Sequence, residues 1–176
     1  MRLFIAAELP ENLMEALAET SADLRGSVKG RYVGPNLLHV TLAFLGEVEA
    51  ARVPQIEAAL EEACAGHGPL PVTLGELGYF GRRSDAVLWQ GFDAEGAKAF
   101  AGLARDVREA LAARGFTFDG KKFSPHVTLM RSADVSHGVL PMPCNATGAV
   151  DTVTLFKSDL SGKHPVYTPL VSAVLR

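Results

Sequence analysis

The chain has 176 residues, 48% of them hydrophobic and 21% charged, with a formal net charge of −3 at neutral pH. That length supports a full buried core without disulfide staples, and the composition excludes long disordered stretches. A net negative chain is no general nucleic-acid coat, which needs a strongly basic balance to neutralise phosphates.

Leu3 to Ala7 reads as a buried strand closed by Leu9-Pro10. Glu8 interrupts the apolar run before a signal-peptide core forms, so a cytoplasmic location is expected. Pro10 suits the first turn of a helix running to about Arg25, with Leu13, Leu17 and Leu24 as its apolar stripe. Gly26, Gly30, Gly34 and Pro35 mark a flexible connection, and a strand is expected over Leu37 to Leu45, stopped by Gly46. Pro54 opens a second helix, Ile56 to Ala65, ending beside Cys64, which reads as a packing residue. Two strands, Leu70 to Leu77 and Ala86 to Phe92, form a hairpin around the Gly81-to-Asp85 loop.

The longest helical pattern is Glu95 to Arg114, carrying Phe100, Leu103, Val107 and Leu111, with Gly115 as its stop. A strand follows over Phe123 to Arg131, then a long loop from Ser132 to Asn145, then strands over Ala149 to Lys157 and Val166 to Leu175. Helix and strand mixed in two comparable halves favour an α+β fold with mainly antiparallel sheets. Neither a G-x-G-x-x-G nor a phosphate-loop motif occurs, and no stretch reaches the roughly 20 apolar residues of a membrane span.

His-Val-Thr-Leu occurs twice, as His39 to Leu42 and as His126 to Leu129, both times in a predicted strand and half a chain apart. Alternation along a strand puts His and Thr on one face and Val and Leu on the other. Two such strands, one in each of two similar lobes, would place two imidazoles in a shared cleft. An imidazole titrates near neutrality, so one can take a proton while the other gives one. That suits transfer at phosphorus, where water loses a proton as the leaving oxygen gains one. Each threonine hydroxyl can donate to a phosphate oxygen.

A zinc site competes for the same histidines, but catalytic zinc takes three protein ligands and neither motif has a further ligand beside it. No metal and no cofactor is therefore expected. Cys64 and Cys144 have no metal-ligand spacing, and His67, His137 and His164 read as surface loop residues. Basic residues cluster at Lys29 with Arg31, at Arg82-Arg83, at Lys121-Lys122 and at Arg131, and read as solvated surface charge.

The paired motifs and their flanks resemble the 2H phosphoesterases, and within them the bacterial and archaeal RNA 2′,3′-cyclic phosphodiesterases, historically called 2′-5′ RNA ligases. The likeness runs through Arg2 to Ala6 with Leu9-Pro10, Asn36 to Gly46, Phe123 to Leu129, Val153 to Ser158 and Pro165 to Tyr167. It implies one bilobal domain over residues 1–176, two sheets with helices outside, a pseudo-twofold axis and one His-x-Thr strand per lobe flanking a central cleft. It also implies metal-independent hydrolysis of a 2′,3′-cyclic phosphate to a 2′-phosphate. By that analogy His39 is the acid on O3′ and His126 the base on water, or the reverse, while Thr41 and Thr128 hold the phosphate.

Arg131 matches an arginine of this branch that stabilises transition-state charge. Strict alternation puts Arg131 on the face away from His126, so it reaches the cleft only if the strand ends or bulges near Met130. Phe44 and Tyr167 are candidates for contact with a base or sugar, with core packing the competing reading for Phe44. The expected partners are RNA ends carrying a 2′,3′-cyclic phosphate or small cyclic nucleotides, with no membrane, and a monomer is expected. Another 2H activity, including reversible 2′-5′ joining, and a non-catalytic nucleotide-binding module are the alternatives.

Overall fold

The computed structural model describes residues 1–176. The first strand, β1 (Arg2–Ala7), buries Leu3, Ile5 and Ala7 completely on one face. Helix α1 (Glu11–Arg25) sinks Leu13, Leu17 and Leu24 into the core, as the three-and-four spacing of those leucines dictates. Then come β2 (Lys29–Tyr32), β3 (Val40–Glu47), α2 (Val53–Cys64), β4 (Leu70–Arg82) and β5 (Asp85–Phe92). Helix α3 (Ala94–Ala112) starts on Asp93, whose carboxylate accepts from the Gly96 backbone N–H at 2.9 Å. After it, Gly115 sits at φ +77°, a conformation that favours glycine. The chain ends in β6 (Val127–Asp134), β7 (Thr147–Val150), β8 (Thr152–Asp159) and β9 (Val166–Val174).

The strands form two sheets, ordered β3-β1-β8-β9 and β2-β6-β5-β4-β7, with every neighbouring pair antiparallel. Superposing β3 on β6 matches β1 with β5, β8 with β4 and β9 with β7, the pseudo-twofold that the sequence resemblance implies. Strand β2 is the one addition. Helix α2 lies on β8 and β9, while α3 touches β3 of one sheet and β4 and β5 of the other, so α3 closes the seam between lobes. A continuous apolar cluster of 39 buried residues runs through both lobes. No helix is long and apolar enough to cross a membrane.

Several boundaries differ from the sequence expectation. The glycine-rich connection after α1 contains an edge strand, β2, whose residues Lys29, Gly30, Arg31 and Tyr32 carry no hydrophobic period. The Ser132-to-Asn145 segment begins inside β6, which runs to Asp134. The stretch read as one strand over Ala149 to Lys157 is two, broken at Asp151, where the chain leaves β4 as partner and joins β1. The hairpin strand β4 reaches Arg82, leaving a two-residue turn at Arg83-Ser84. Both motif strands start one residue after their histidine, and β3 continues through Gly46 at φ +69°.

One packing contact is tight enough to test. Trp89, the only tryptophan, lies directly across from Gly78, and a Cβ built on Gly78 would overlap the indole ring. Gly78→Ala is expected to push the ring aside, costing about 1–3 kcal/mol of stability and shifting the tryptophan emission. Unchanged emission and an unchanged denaturation midpoint would contradict this packing.

Candidate active site

Val40, Leu42, Val127 and Leu129 are fully buried, while His39, Thr41, His126 and Thr128 are half-buried on the opposite faces. Each imidazole is held the same way. His39 Nδ1 lies 2.6 Å from the Leu37 carbonyl oxygen, and His126 Nδ1 lies 2.7 Å from that of Ser124. A carbonyl only accepts, so Nδ1 carries the proton in both rings and each neutral Nε2 keeps its lone pair. The Thr41 hydroxyl sits 2.9 Å from His39 Nε2.

Aromatic rings fix both imidazoles further. Phe4 packs on His39 at 5.2 Å between centroids, and Tyr167 meets His39 edge-on at 5.6 Å. Phe80 meets His126 edge-on at 5.1 Å, with Trp89 at 6.0 Å. Burial holds both pKa values below the usual imidazole value, opposed by the carbonyl hydrogen bonds and reinforced by the Arg131 charge. His126 lowers His39 as well, which places the two rings within electrostatic reach of each other.

The motif strands bulge at matching places. In β3 the pairing with β1 slips at Leu42 and again at Leu45; in β6 the pairing with β5 slips at Leu129 and again around Ser132. These are the third and sixth residues after each histidine. The first slip buries two consecutive residues, Leu42-Ala43 and Leu129-Met130. It therefore returns the next residue to the histidine face. Those residues are Phe44 and Arg131. Phe44 stands opposite Phe4 with the Arg2 guanidinium 4.7 Å from its ring centroid. Arg131 is exposed and near enough to act on both histidines. Strict alternation fails for both, and core packing of Phe44 gives way to the cleft side.

A sequence model described as the 2′-5′ RNA ligase superfamily matches residues 9–141. The chain belongs to the 2′-5′ RNA ligase superfamily. It is 34% identical to a protein named RNA 2′,3′-cyclic phosphodiesterase from Thermus thermophilus, over 100% of this chain and 91% of that one. It is also 34% identical to the Escherichia coli protein of the same name, over 96% and 93%. Among solved structures it resembles TT0787 of Thermus thermophilus, with a TM-score of 0.85, 32% identity and coverage of 100% and 98%. Escherichia coli LigT complexed with 3′-AMP gives 0.83, 31%, and 99% and 97%.

In this superfamily member His39, Thr41 and Phe44 share one face of the first sheet, with Tyr167 against His39, while His126, Thr128 and Arg131 share one face of the second, with His126 and Arg131 in electrostatic reach of His39. Three contributors carry no sequence signal of their own: Phe4, Trp89 and Arg108. Arg108, on α3, donates from Nε to the Leu42 carbonyl at 2.9 Å and from a terminal nitrogen to that of Lys121 at 3.4 Å. The Asp119 N–H bonds the Phe44 carbonyl at 3.2 Å. Arg108 thus serves a carbonyl at the first bulge and ties the segment leading to His126 onto the edge of β3. Its charge gives no hint of this from sequence, because α3 carries another arginine, Arg105, that is exposed. His67 and Cys64 lie outside the cleft. His67 is half-buried and bonded to Asp106 at 2.6 Å rather than free on the surface, and burial pushes the Cys64 thiol up to about 11.

Replacing Arg108 by Met keeps the aliphatic stem and removes both carbonyl bonds. Backbone amides of residues 119–123 should then exchange hydrogen faster while those of α3 do not; unaltered exchange would dismiss the tether.

The depressed histidines also set a pH dependence. Because their folded values lie below 6.5, the unfolded chain binds more protons as pH falls through 6.5, and stability drops in that window. Denaturant titrations from pH 7.5 to 5 should show that loss, and the His39→Asn, His126→Asn double variant should flatten it. Equal slopes in both proteins would refute it.

Proposed function

We propose that this chain hydrolyses 2′,3′-cyclic phosphates on RNA ends or nucleotides to 2′-phosphomonoesters, using His39 and His126 as a metal-independent acid-base pair. The observation that carries this reading is the pair of like-held imidazoles, each with Nε2 unclaimed by backbone, sharing one cleft with Arg131. Family membership and the names of the relatives support the same substrate class.

The chemistry divides as follows. Water attacks phosphorus and gives a proton to His126 Nε2, which lowered basicity keeps free at neutral pH. The P–O3′ bond breaks, and O3′ takes a proton from His39 Nε2. The 2′-phosphate remains. His39 must enter this step protonated, and the bound phosphate anion raises its affinity for the proton against the burial and the Arg131 charge that lower it. Thr41 and Thr128 donate to non-bridging oxygens, and Arg131 offsets the charge that grows on the phosphoryl group. Phe44 and Tyr167 supply the aromatic faces for base or sugar. The entire chain, residues 1–176, is the unit that acts, because the cleft draws on both lobes.

Chelator-treated protein is expected to open a 2′,3′-cyclic-ended oligonucleotide to the 2′-phosphate. His39→Ala and His126→Ala should each slow it by roughly 10² to 10⁴-fold or more. A 3′-phosphate product, or loss of turnover in chelator, would overturn the mechanism, and tight product binding without hydrolysis would identify a binding module instead.

A further inference from the structure

Beyond Arg131 the histidine face continues onto β2. Arg31 on β2 is the direct antiparallel partner of Arg131 on β6, while the next pair, Tyr32 and Met130, turns the other way, Met130 into the core. Residues directly opposite in an antiparallel pair point to the same face, so the two guanidinium groups stand side by side. Both are exposed, and neither takes part in any ion pair or side-chain hydrogen bond. Like charges directly across a ladder are unfavourable without a counter-charge. Here the protein supplies none.

The backbone is shaped to keep that juxtaposition. The β2–β6 pairing slips between Lys29 and Arg31 to absorb the bulge at Ser132, which is the only non-glycine residue with positive φ, at 49°. Gly30 has φ +154°, and a Cβ there would lie 2.9 Å from the Ala133 Cα, the Met130 side chain and the Ser132 carbonyl oxygen. Only glycine lets β2 pass that close, and the pass brings Arg31 level with Arg131. The turn of the β4–β5 hairpin adds Arg82 and Arg83 at the same end, with the Arg83 carbonyl bonded to the Val135 N–H at 2.7 Å. Three of the four basic clusters in the sequence thus converge on one edge of the cleft.

We infer that Arg31 forms a second phosphate subsite, binding the phosphate on the 5′ side of the nucleotide whose cyclic phosphate lies against Arg131. This rests on the cyclic phosphodiesterase reading and extends it from one phosphate to two. A second phosphate beside Arg31, next to the one held by Arg131, offsets the repulsion between the two guanidinium groups, and Arg31 takes it with paired N–H donors. The chemistry recognised is a 5′-phosphate, whether the internucleotide diester of an RNA strand or the 5′-monoester of a mononucleotide. His39 and His126 contact the reacting phosphate alone, so Arg31 governs substrate choice and not the chemical step.

The test compares kcat/KM for three substrates: a nucleoside 2′,3′-cyclic phosphate, its 5′-phosphorylated form, and a dinucleotide with a cyclic end. The native protein should prefer one or both phosphate-bearing substrates by about tenfold or more, chiefly through KM. Arg31→Ala should abolish that preference, leave the bare nucleoside cyclic phosphate unchanged within about twofold, and cut the salt dependence by about one phosphate contact. Preference for the dinucleotide alone identifies the RNA strand as the source; preference shared with the mononucleotide identifies any 5′-phosphate. Native protein with no preference, or Arg31→Ala slowing all three substrates alike, overturns the subsite while leaving the phosphodiesterase reading intact. No turnover of any substrate by the native protein overturns both.

Discussion

Each imidazole in the cleft gives its Nδ1 proton to the carbonyl oxygen two residues upstream, at 2.6 Å for His39 and 2.7 Å for His126. That one bond fixes the tautomer, fixes the ring against rotation and aims Nε2 away from the backbone. It arises because both histidines stand at the threshold of a strand, where the preceding carbonyls are not yet committed to the ladder. Proton transfer at a phosphate needs two nitrogens of known protonation on facing walls, and the fold provides each with its own chain segment.

The second constraint is the paired bulges. A regular strand could show His and Thr to the cleft but would turn the fifth residue after the histidine toward the core side. Slippage at Leu42 and at Leu129 returns that residue to the cleft, where one lobe places an aromatic ring, Phe44, and the other a guanidinium, Arg131. The same backbone device thus gives two different chemistries from two near-copies. The lobes also differ in what packs on each imidazole: Phe4 and Tyr167 on His39, Phe80 and Trp89 on His126. The exposed backbone that a bulge creates is also used, since Arg108 bonds the Leu42 carbonyl.

Much of this is legible in the residues. Hydrophobic period locates α1, α2 and α3 and most strands within a few positions, because those elements bury a face of Leu, Ile, Val and Phe. Strand alternation and the repeated His-x-Thr put His39, Thr41, His126 and Thr128 on the faces away from the core, where the fold also has them. What escapes lacks a local signal. Strand β2 is polar and short, held by pairing with β6 and not by burial. The break at Asp151 depends on which sheet receives the next strand, a choice made by distant partners. The bulges depend on cross-strand register, so they are readable only as a contradiction: Arg131 has a role in the resemblance and sits on the wrong face by parity. Trp89 and Phe4 are ordinary strand residues until the fold packs them on His126 and His39, and Arg108 is an ordinary helix residue until the fold sets it against the Leu42 and Lys121 carbonyls.

The two imidazoles share one protonation state, and ¹⁵N-resolved NMR of the histidine rings tests that most directly. Above pH 7 both His39 and His126 should show the nitrogen shifts of a neutral ring protonated on Nδ1, and both should gain their second proton only below 6.5. A ring protonated on Nε2 at either position, or a histidine of the pair still charged above that pH in the free protein, would contradict the account.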